Sequence, residues 1–419
     1  MKFLILSQYF PPEVGGPQTR LAAMSEELVR LGHEVEVVTA LPNYPTGRIF
    51  EQFRGKLYSY ESRHGVSVHR VWVYAAIGGG LKRLLNYVSF AATSLAGLLK
   101  AKKPDYIFAE SPPLFLSLPA YAMSRLWRVP FIFNVSDLWP DSVRELQLLD
   151  SNFLIRMAEH LESWTYRKAA YVTAVTEGIH KSLAAKGVPR HKILFLPNGV
   201  DTTLFQPTPS DDAFKQRLGL AGKKIVVYQG SLGYAHGLEN VLQAAKLLEK
   251  DSDIHFLFIG DGSDRKRLEA FCEGLELKNA TFMNPVPKEE LPRFFSIAMC
   301  GLASLRNLPL FEGARPSKIF PIMAAGKPVV FVGSGEAGRM INEALAGAVV
   351  QFGNPEALAR VLREFAESPD LCSEMGENGR NFTLKHLQWS GLITAWLAQL
   401  AGHSTEAEHP SSQAVTVLQ

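Results

Sequence analysis

The chain has 419 residues, of which 47% are apolar and 20% charged, with a formal net charge of +3. That length exceeds one ordinary hydrophobic core and predicts two domains, and the near-neutral balance gives no reason to expect a nucleic-acid partner. The three cysteines, Cys272, Cys300 and Cys372, lie far apart without CxxC spacing, which speaks against a zinc site or a disulfide framework and fits a reducing cytoplasm.

The apolar run in the opening MKFLILSQYFPPEVGG stops after a few residues, and no small-residue cleavage site follows. It reads as a first buried strand, Lys2–Leu6, rather than a signal peptide. An amphipathic helix, Thr19–Leu31, comes next and ends at Gly32 as a helix C-terminus should. Strands follow at Glu34–Thr39, Val71–Tyr74, Tyr106–Glu110, Phe131–Val135 and Tyr171–Val175. A second series begins near Asp201, with strands Lys224–Gln229, Ile254–Ile259, Ala280–Met283, Gly301–Ser304, Pro328–Val332 and Ala348–Gln351. Helices Leu238–Lys250, Arg265–Leu275 and Glu289–Ser296 lie between them. Two βα series joined near Pro197–Pro207 predict an α/β protein of two doubly wound domains facing a cleft. The boundaries fall at 1–200 and from 201 on, and the polar, aperiodic stretch 402–419 reads as a disordered tail. No run of 18 apolar residues exists, so no transmembrane helix is expected.

Several strand ends carry groups suited to a ligand. After the first strand, Gly15 and Gly16 precede a helix, where backbone N–H groups can approach a phosphate; a plain turn reads equally well. The pattern is not GxGxxG, and no acid ends the second strand, VEVVTALPN, so a nicotinamide or flavin cofactor is disfavoured. Arg20 at the helix start could point to the same place. Ser111 and the pair Asp137 and Trp139 end two further strands: Asp137 could accept from an acceptor hydroxyl and Trp139 could stack on a sugar ring. An aspartate helix cap, a core tryptophan and a helix-capping Ser111 are the plainer alternatives. In the second series Ser231 and His236 follow one strand, and Gly260 and Gly262 follow the next; each could meet nucleotide or phosphate, or merely turn the chain.

The stretch FEGARPSKIFPIMAAGKPVV is the richest. It sets Glu312, Arg315, Ser317 and Lys318 before a small-residue turn and an apolar strand. Cations and one acid in such a loop suit a ligand with a diphosphate and a neutral polar group, as in a nucleotide sugar. Gly78–Lys103 differs in kind: Leu84–Leu99 is nearly apolar and bracketed by Lys82, Arg83, Lys100, Lys102 and Lys103. It reads either as an amphipathic helix on an anionic membrane surface, over residues 80–103, or as a long core helix. Residues 1–200 carry 23 Lys and Arg against 16 Asp and Glu, while the remainder is net acidic, by chance or because the first half faces something anionic.

Taken together, YFPPEVGGPQTR, LVRLGHEVEVVTALPNYPTG, VSDLWPDS, LPNGVDTTLF, YQGSLGYAHGLENVLQAAKLL, FLFIGDGSDRKRL and PSKIFPIMAAGKPVV resemble the retaining GT-B glycosyltransferases of family 4. The resemblance is strongest to the subgroup that builds bacterial O-antigens, capsules and exopolysaccharides, and it covers residues 1 to roughly 400. It implies two Rossmann-like domains, an N-terminal one for the acceptor and a C-terminal one, 201–385, for the nucleotide-sugar donor. It also implies a last helix, 386–401, that crosses back to the first domain. No metal or other cofactor is implied, because cations and helix N-termini neutralise the leaving diphosphate.

Two departures stand out. Many members carry two glutamates eight residues apart; Glu312 fits the first, which touches sugar hydroxyls, but the position of the ribose-binding second, counted back from AAGKPVV, is Pro321, one residue further from Glu312 than the usual spacing. Many also place Arg and Lys in the loop Ser231–Gly237, where this chain has Ser231 and His236, so Lys318 and Arg315 are the candidate diphosphate cations. The resemblance thus predicts a glycosyltransferase moving a hexose or modified N-acetylhexosamine to a lipid-linked saccharide, peripheral on the inner face of the cytoplasmic membrane. Lys318, Glu312 and Asp137 are its candidate catalytic residues. Gly15, Gly16, Ser231, His236, Gly260, Gly262, Arg315 and Ser317 are candidates for the donor, and Arg20, Ser111 and Trp139 for the acceptor. A sugar-nucleotide epimerase of the same fold and a non-catalytic nucleotide-sugar-binding partner are the alternatives.

Overall fold

A computed structural model describes residues 1–76, 80–141, 152–250 and 253–408. The chain divides into two compact units, Met1–Pro197 together with the chain from Trp389, and Asn198–Gln388.

The first unit holds an eight-stranded sheet. Its strands are β1 (Lys2–Leu6), β2 (Glu34–Ala40), β3 (Tyr58–Arg63), β4 (Val66–Val71), β5 (Tyr106–Ser111), β6 (Phe131–Val135), β7 (Tyr171–Ala174) and β8 (Ile193–Phe195). Their order is β3-β4-β2-β1-β5-β6-β7-β8, and only β3 runs antiparallel to its neighbour. The central strands are apolar on both faces because helices cover both, which is why they read as continuous hydrophobic runs. The order reverses between β1 and β5, so the loops after these strands lie at the switch point where such sheets bind ligands.

The second unit holds six parallel strands: β9 (Lys224–Gln229), β10 (Ile254–Ile259), β11 (Ala280–Met283), β12 (Ala298–Ser304), β13 (Val329–Val332) and β14 (Gly347–Val350). Their order, β11-β10-β9-β12-β13-β14, is doubly wound, with its switch point between β9 and β12. The expected α/β class, with two doubly wound parallel sheets, is what the chain forms.

Four elements differ from expectation. The strand expected at Val71–Tyr74 lies upstream, in a hairpin whose two-residue turn, His64-Gly65, has positive φ at both positions. That turn fixes the register Tyr58↔Val71, so pairing stops at Val71. The polar alternation of SYESR, on an edge strand, gave no hydrophobic signal, and β8 is only three residues long. The last helix runs Trp389–Glu408, beyond the expected start of a disordered tail at 402; residues 409–419 lie outside the described residues. This helix belongs to the first unit, as the crossing-helix expectation required. Trp396 is fully buried there, with its ring 5.8 Å from both Phe3 and Phe108, and the Gln399 side chain bonds both the N–H and the carbonyl of Phe195.

The helix Gly80–Lys100 is a core helix on one face. Tyr87, Phe90, Ala91 and Leu98 are buried, and a Cβ on Gly97 would strike Val38 and Val71 of the sheet. On its other face Leu81, Leu85, Val88, Leu95 and Leu99 are exposed, spaced by three, four or seven residues. Both sequence readings of this segment thus describe one of its faces. Among the described residues no helix is long and apolar enough to cross a membrane.

Candidate active site

In the second unit the loop after β9 is the focus. Lys318 caps the short helix Ile319–Ala324, and its side chain is buried. Its Nζ donates to the Tyr228 hydroxyl and sits 4.0 Å from the centroid of that ring. A Cβ built on Gly230 would lie 3.4 Å from Lys318 Cε, so the lysine reaches the end of β9. No carboxylate pairs with Lys318 among the described residues, and burial pulls its pKa down to about 7. The Tyr228 hydroxyl in turn donates to the Ser231 carbonyl at 2.6 Å, and burial holds that phenol well above its usual range.

His236 lies beside Tyr228. Its Nδ1 is 3.0 Å from the Ser304 carbonyl, which can only accept, so Nδ1 carries the proton and Nε2 is left as an acceptor. Burial first, and the Lys318 charge second, lower its pKa to about 3. His236 is therefore neutral at working pH and supplies no positive charge.

The other residues expected at this site divide. Arg315 Nε lies 2.6 Å from Glu336, so its charge is met by a buried carboxylate. Glu312 is exposed, and its Oε1 accepts from Ser334 at 2.7 Å. Ser317 and Ser231 are exposed. Gly260 and Gly262 have a reason of their own: added Cβ atoms would lie 1.9 Å from the Gly230 oxygen and 2.4 Å from the Leu232 oxygen. They let the loops after β9 and β10 pack backbone to backbone, as the bond from Leu232 N–H to the Asp261 carbonyl shows. Pro321 is the third residue of a helix, where its missing N–H costs no intrahelical bond.

In the first unit Gly15 and Gly16 begin the helix Gly16–Arg30 at the switch point. A Cβ on Gly15 would clash with Gln18 at 2.4 Å, whereas one on Gly16 meets nothing within 4 Å. The Gln18 amide can swing aside, so packing requires neither glycine. Arg20 pairs with Glu110, and both are buried. Asn134 Nδ2 donates to the same carboxylate at 3.0 Å, as does the Ser136 hydroxyl, which also donates to the Ser111 carbonyl at 2.6 Å. Arg20, expected to point at a ligand, instead closes a buried cluster at the ends of β5 and β6. Asp137 is exposed; against the opposing effect of burial, Tyr87 first, then Tyr9 and Asp137, raise the pKa of the nearby Arg83 guanidinium. Trp139 is half-buried, its ring 6.2 Å from Phe115 and against the core.

Sequence reasoning missed Glu110, Asn134, Tyr228 and Arg83 as site residues. Glu110 and Asn134 had a usable signal, since each is a lone polar residue in an otherwise apolar buried strand. Tyr228 had none, for an aromatic in a strand reads as core.

Residues 15–199 match the family model of the glycosyl transferase 4-like domain, and residues 210–382 match that of glycosyl transferases group 1. A putative colanic acid biosynthesis glycosyl transferase, WcaI of Escherichia coli K12, is 29% identical over 335 residues, 78% of this chain and 82% of the relative. Sucrose-phosphate synthase from Thermosynechococcus elongatus superposes with a TM-score of 0.75 at 17% identity, over 97% of this chain and 99% of that one. Anabaena Alr3699/HepE in complex with UDP and glucose gives 0.73 at 18% identity, over 96% and 100%.

Proposed function

The chain belongs to the GT-B glycosyltransferases of family 4 type, and on that footing we propose that it moves a hexose or modified N-acetylhexosamine from a nucleotide-diphosphate sugar to a lipid-linked saccharide in bacterial surface polysaccharide biosynthesis. The second unit takes the donor and the first the acceptor. Lys318 carries this reading: a buried ammonium with no carboxylate partner among the described residues, at the switch-point end of β9, is a charge awaiting an anion. The HepE structures, complexes with UDP and glucose and with UDP-glucose, support a nucleotide sugar as that anion.

The sugar–diphosphate bond breaks, the acceptor oxygen bonds the same carbon from the same face, and the acceptor proton passes to the leaving phosphate oxygen. Lys318 meets the charge that develops on the diphosphate, in place of a metal. Glu312 orients the donor sugar, and Asp137, held near Arg83, orients the acceptor hydroxyl.

A panel of nucleotide sugars tests the reading. One donor is expected to raise the melting temperature by several degrees, since a ligand of the native state alone stabilises it. The same donor should then release its nucleoside diphosphate faster when a lipid-linked saccharide is added. A chain that neither binds nor turns over any of the panel would end the proposal.

The exposed stripe Leu81, Leu85, Val88, Leu95 and Leu99, with Lys82, Lys102 and Lys103 exposed beside it, supports docking on an anionic bilayer. Flotation with vesicles of phosphatidylglycerol and phosphatidylethanolamine should carry the protein up at low salt and less so at high salt. Leu85→Glu/Leu95→Glu should stay at the bottom. Equal flotation of the two proteins would separate the stripe from any membrane role.

A further inference from the structure

The first unit contains a cavity of about 300 Å³ that none of the candidate donor, acceptor or catalytic residues lines. Its walls are Thr46–Arg48 after β2, Tyr74–Ala76 after β4, and Lys82 in the first turn of the helix Gly80–Lys100. The volume is at the lower end of the range for small-ligand pockets. Both walls are fixed from behind. Glu13 Oε1 accepts from the N–H groups of Asn43 and Tyr44, at 2.7 and 2.8 Å, which anchors the first loop. Ser89 Oγ accepts from the Tyr74 N–H at 2.9 Å and Asn86 Nδ2 donates to the Tyr74 carbonyl at 2.8 Å, which anchors the second.

Two cations, Arg48 and Lys82, line this cavity, and neither makes an ion pair among the described residues. Among the described residues no carboxylate lines it. The surroundings are as informative as the lining. Lys82 is followed one turn on by Leu85 and preceded by Leu81, both exposed and both part of the apolar stripe. A pocket that favours an anion therefore opens beside a surface that favours a hydrocarbon. One molecule with both properties is a lipid phosphate.

We propose that this cavity holds the phosphate or diphosphate of the acceptor's lipid carrier, with the first part of its chain along Leu81 and Leu85. The proposal rests on the reading that the acceptor is lipid-linked. The donor diphosphate belongs to Lys318 in the other unit, so this is a second anion site with its own ligand. Arg48 offers a planar fork to two phosphate oxygens, and Lys82 a point charge. The site would select acceptors by their carrier and not by their sugar.

Calorimetric titration of the full chain with farnesyl diphosphate, below its micelle concentration, tests the site. Inorganic diphosphate and farnesol are the comparison probes. Farnesyl diphosphate is expected to bind about tenfold or more tighter than either, and Arg48→Ala/Lys82→Ala to weaken it by about tenfold or more. Arg48→Lys/Lys82→Arg, which keeps both charges, should retain most of the binding. Melting followed by circular dichroism checks that the variants fold. Unchanged binding by the alanine variant would place the ligand elsewhere and overturn the proposal. So would equal affinity for inorganic diphosphate, which marks a free-phosphate site, or for farnesol, which marks an apolar one. Nucleotide-sugar turnover by the unmodified chain reports on the transferase reading by itself, so its failure and a failed titration are told apart.

Discussion

Lys318→Ala is expected to lower turnover by about 10²- to 10³-fold, the usual loss when one preorganised charge partner of a leaving group is removed. The fold should survive, because the lysine is a burden on it: its ammonium is buried and, among the described residues, meets a phenol and an aromatic face but no carboxylate. Lys318→Met, which fills the space without charge, should melt higher than the unmodified protein near neutral pH. The pH dependence has a definite sign. The protonated amine is the useful form, and in the free protein it is lost as pH rises through about 7. The ratio kcat/KM should therefore fall above that pH, while kcat holds to higher pH, since bound diphosphate favours the cation. Stability runs the other way. Between about 7 and the ordinary lysine value of 10.5 the unfolded chain holds a proton that the folded chain lacks. The unmodified protein gains stability across that window as pH rises, and its deficit against Lys318→Met should close. Transfer rates unchanged in Lys318→Ala would remove this residue from the reaction.

The same region shows what a sequence exposes and what it conceals. Strands such as Lys224–Gln229 and Ile254–Ile259 were legible to the residue, because a parallel strand covered on both faces must be apolar throughout. The edge hairpin was not, because β3 has no fully buried residue and β4, though buried almost throughout, is interrupted by Ser67, His69 and Arg70. Lys318 stood out as a cation before an apolar helix, yet nothing in the sequence told it apart from Arg315. Their difference is tertiary: Glu336, on another helix, meets one charge and leaves the other. The glycines mislead for a related reason. Gly260 and Gly262 look like ligand-facing residues, but neighbouring backbone already fills the space a side chain would take. Gly16 has open space before it, so packing does not explain its lack of a side chain.

Glu110→Ala should be the most destabilising of the single substitutions considered, at roughly 3–5 kcal/mol, because it leaves a buried guanidinium without its counter-charge. Asn134 and Ser136 lose their shared acceptor at the same time. Arg20→Leu should cost a comparable amount by leaving the carboxylate alone. The double variant Arg20→Leu/Glu110→Leu should cost far less than the two singles together, since an apolar pair of similar volume removes both desolvation penalties. The two units of the chain need not unfold as one, so a melting curve alone does not locate the loss. Amide hydrogen exchange across β5 and β6 reports the loss where it occurs. Additive singles would mean that Arg20 and Glu110 act independently, and the cluster would then not be what fixes these strand ends. If the pair does fix them, the double variant tells stability apart from function. Ser111 ends the first of these strands and the loop carrying Asp137 follows the second, so a stable but poorly active double variant would show that the buried pair sets their position. A stable and fully active one would show that it only holds the sheet together.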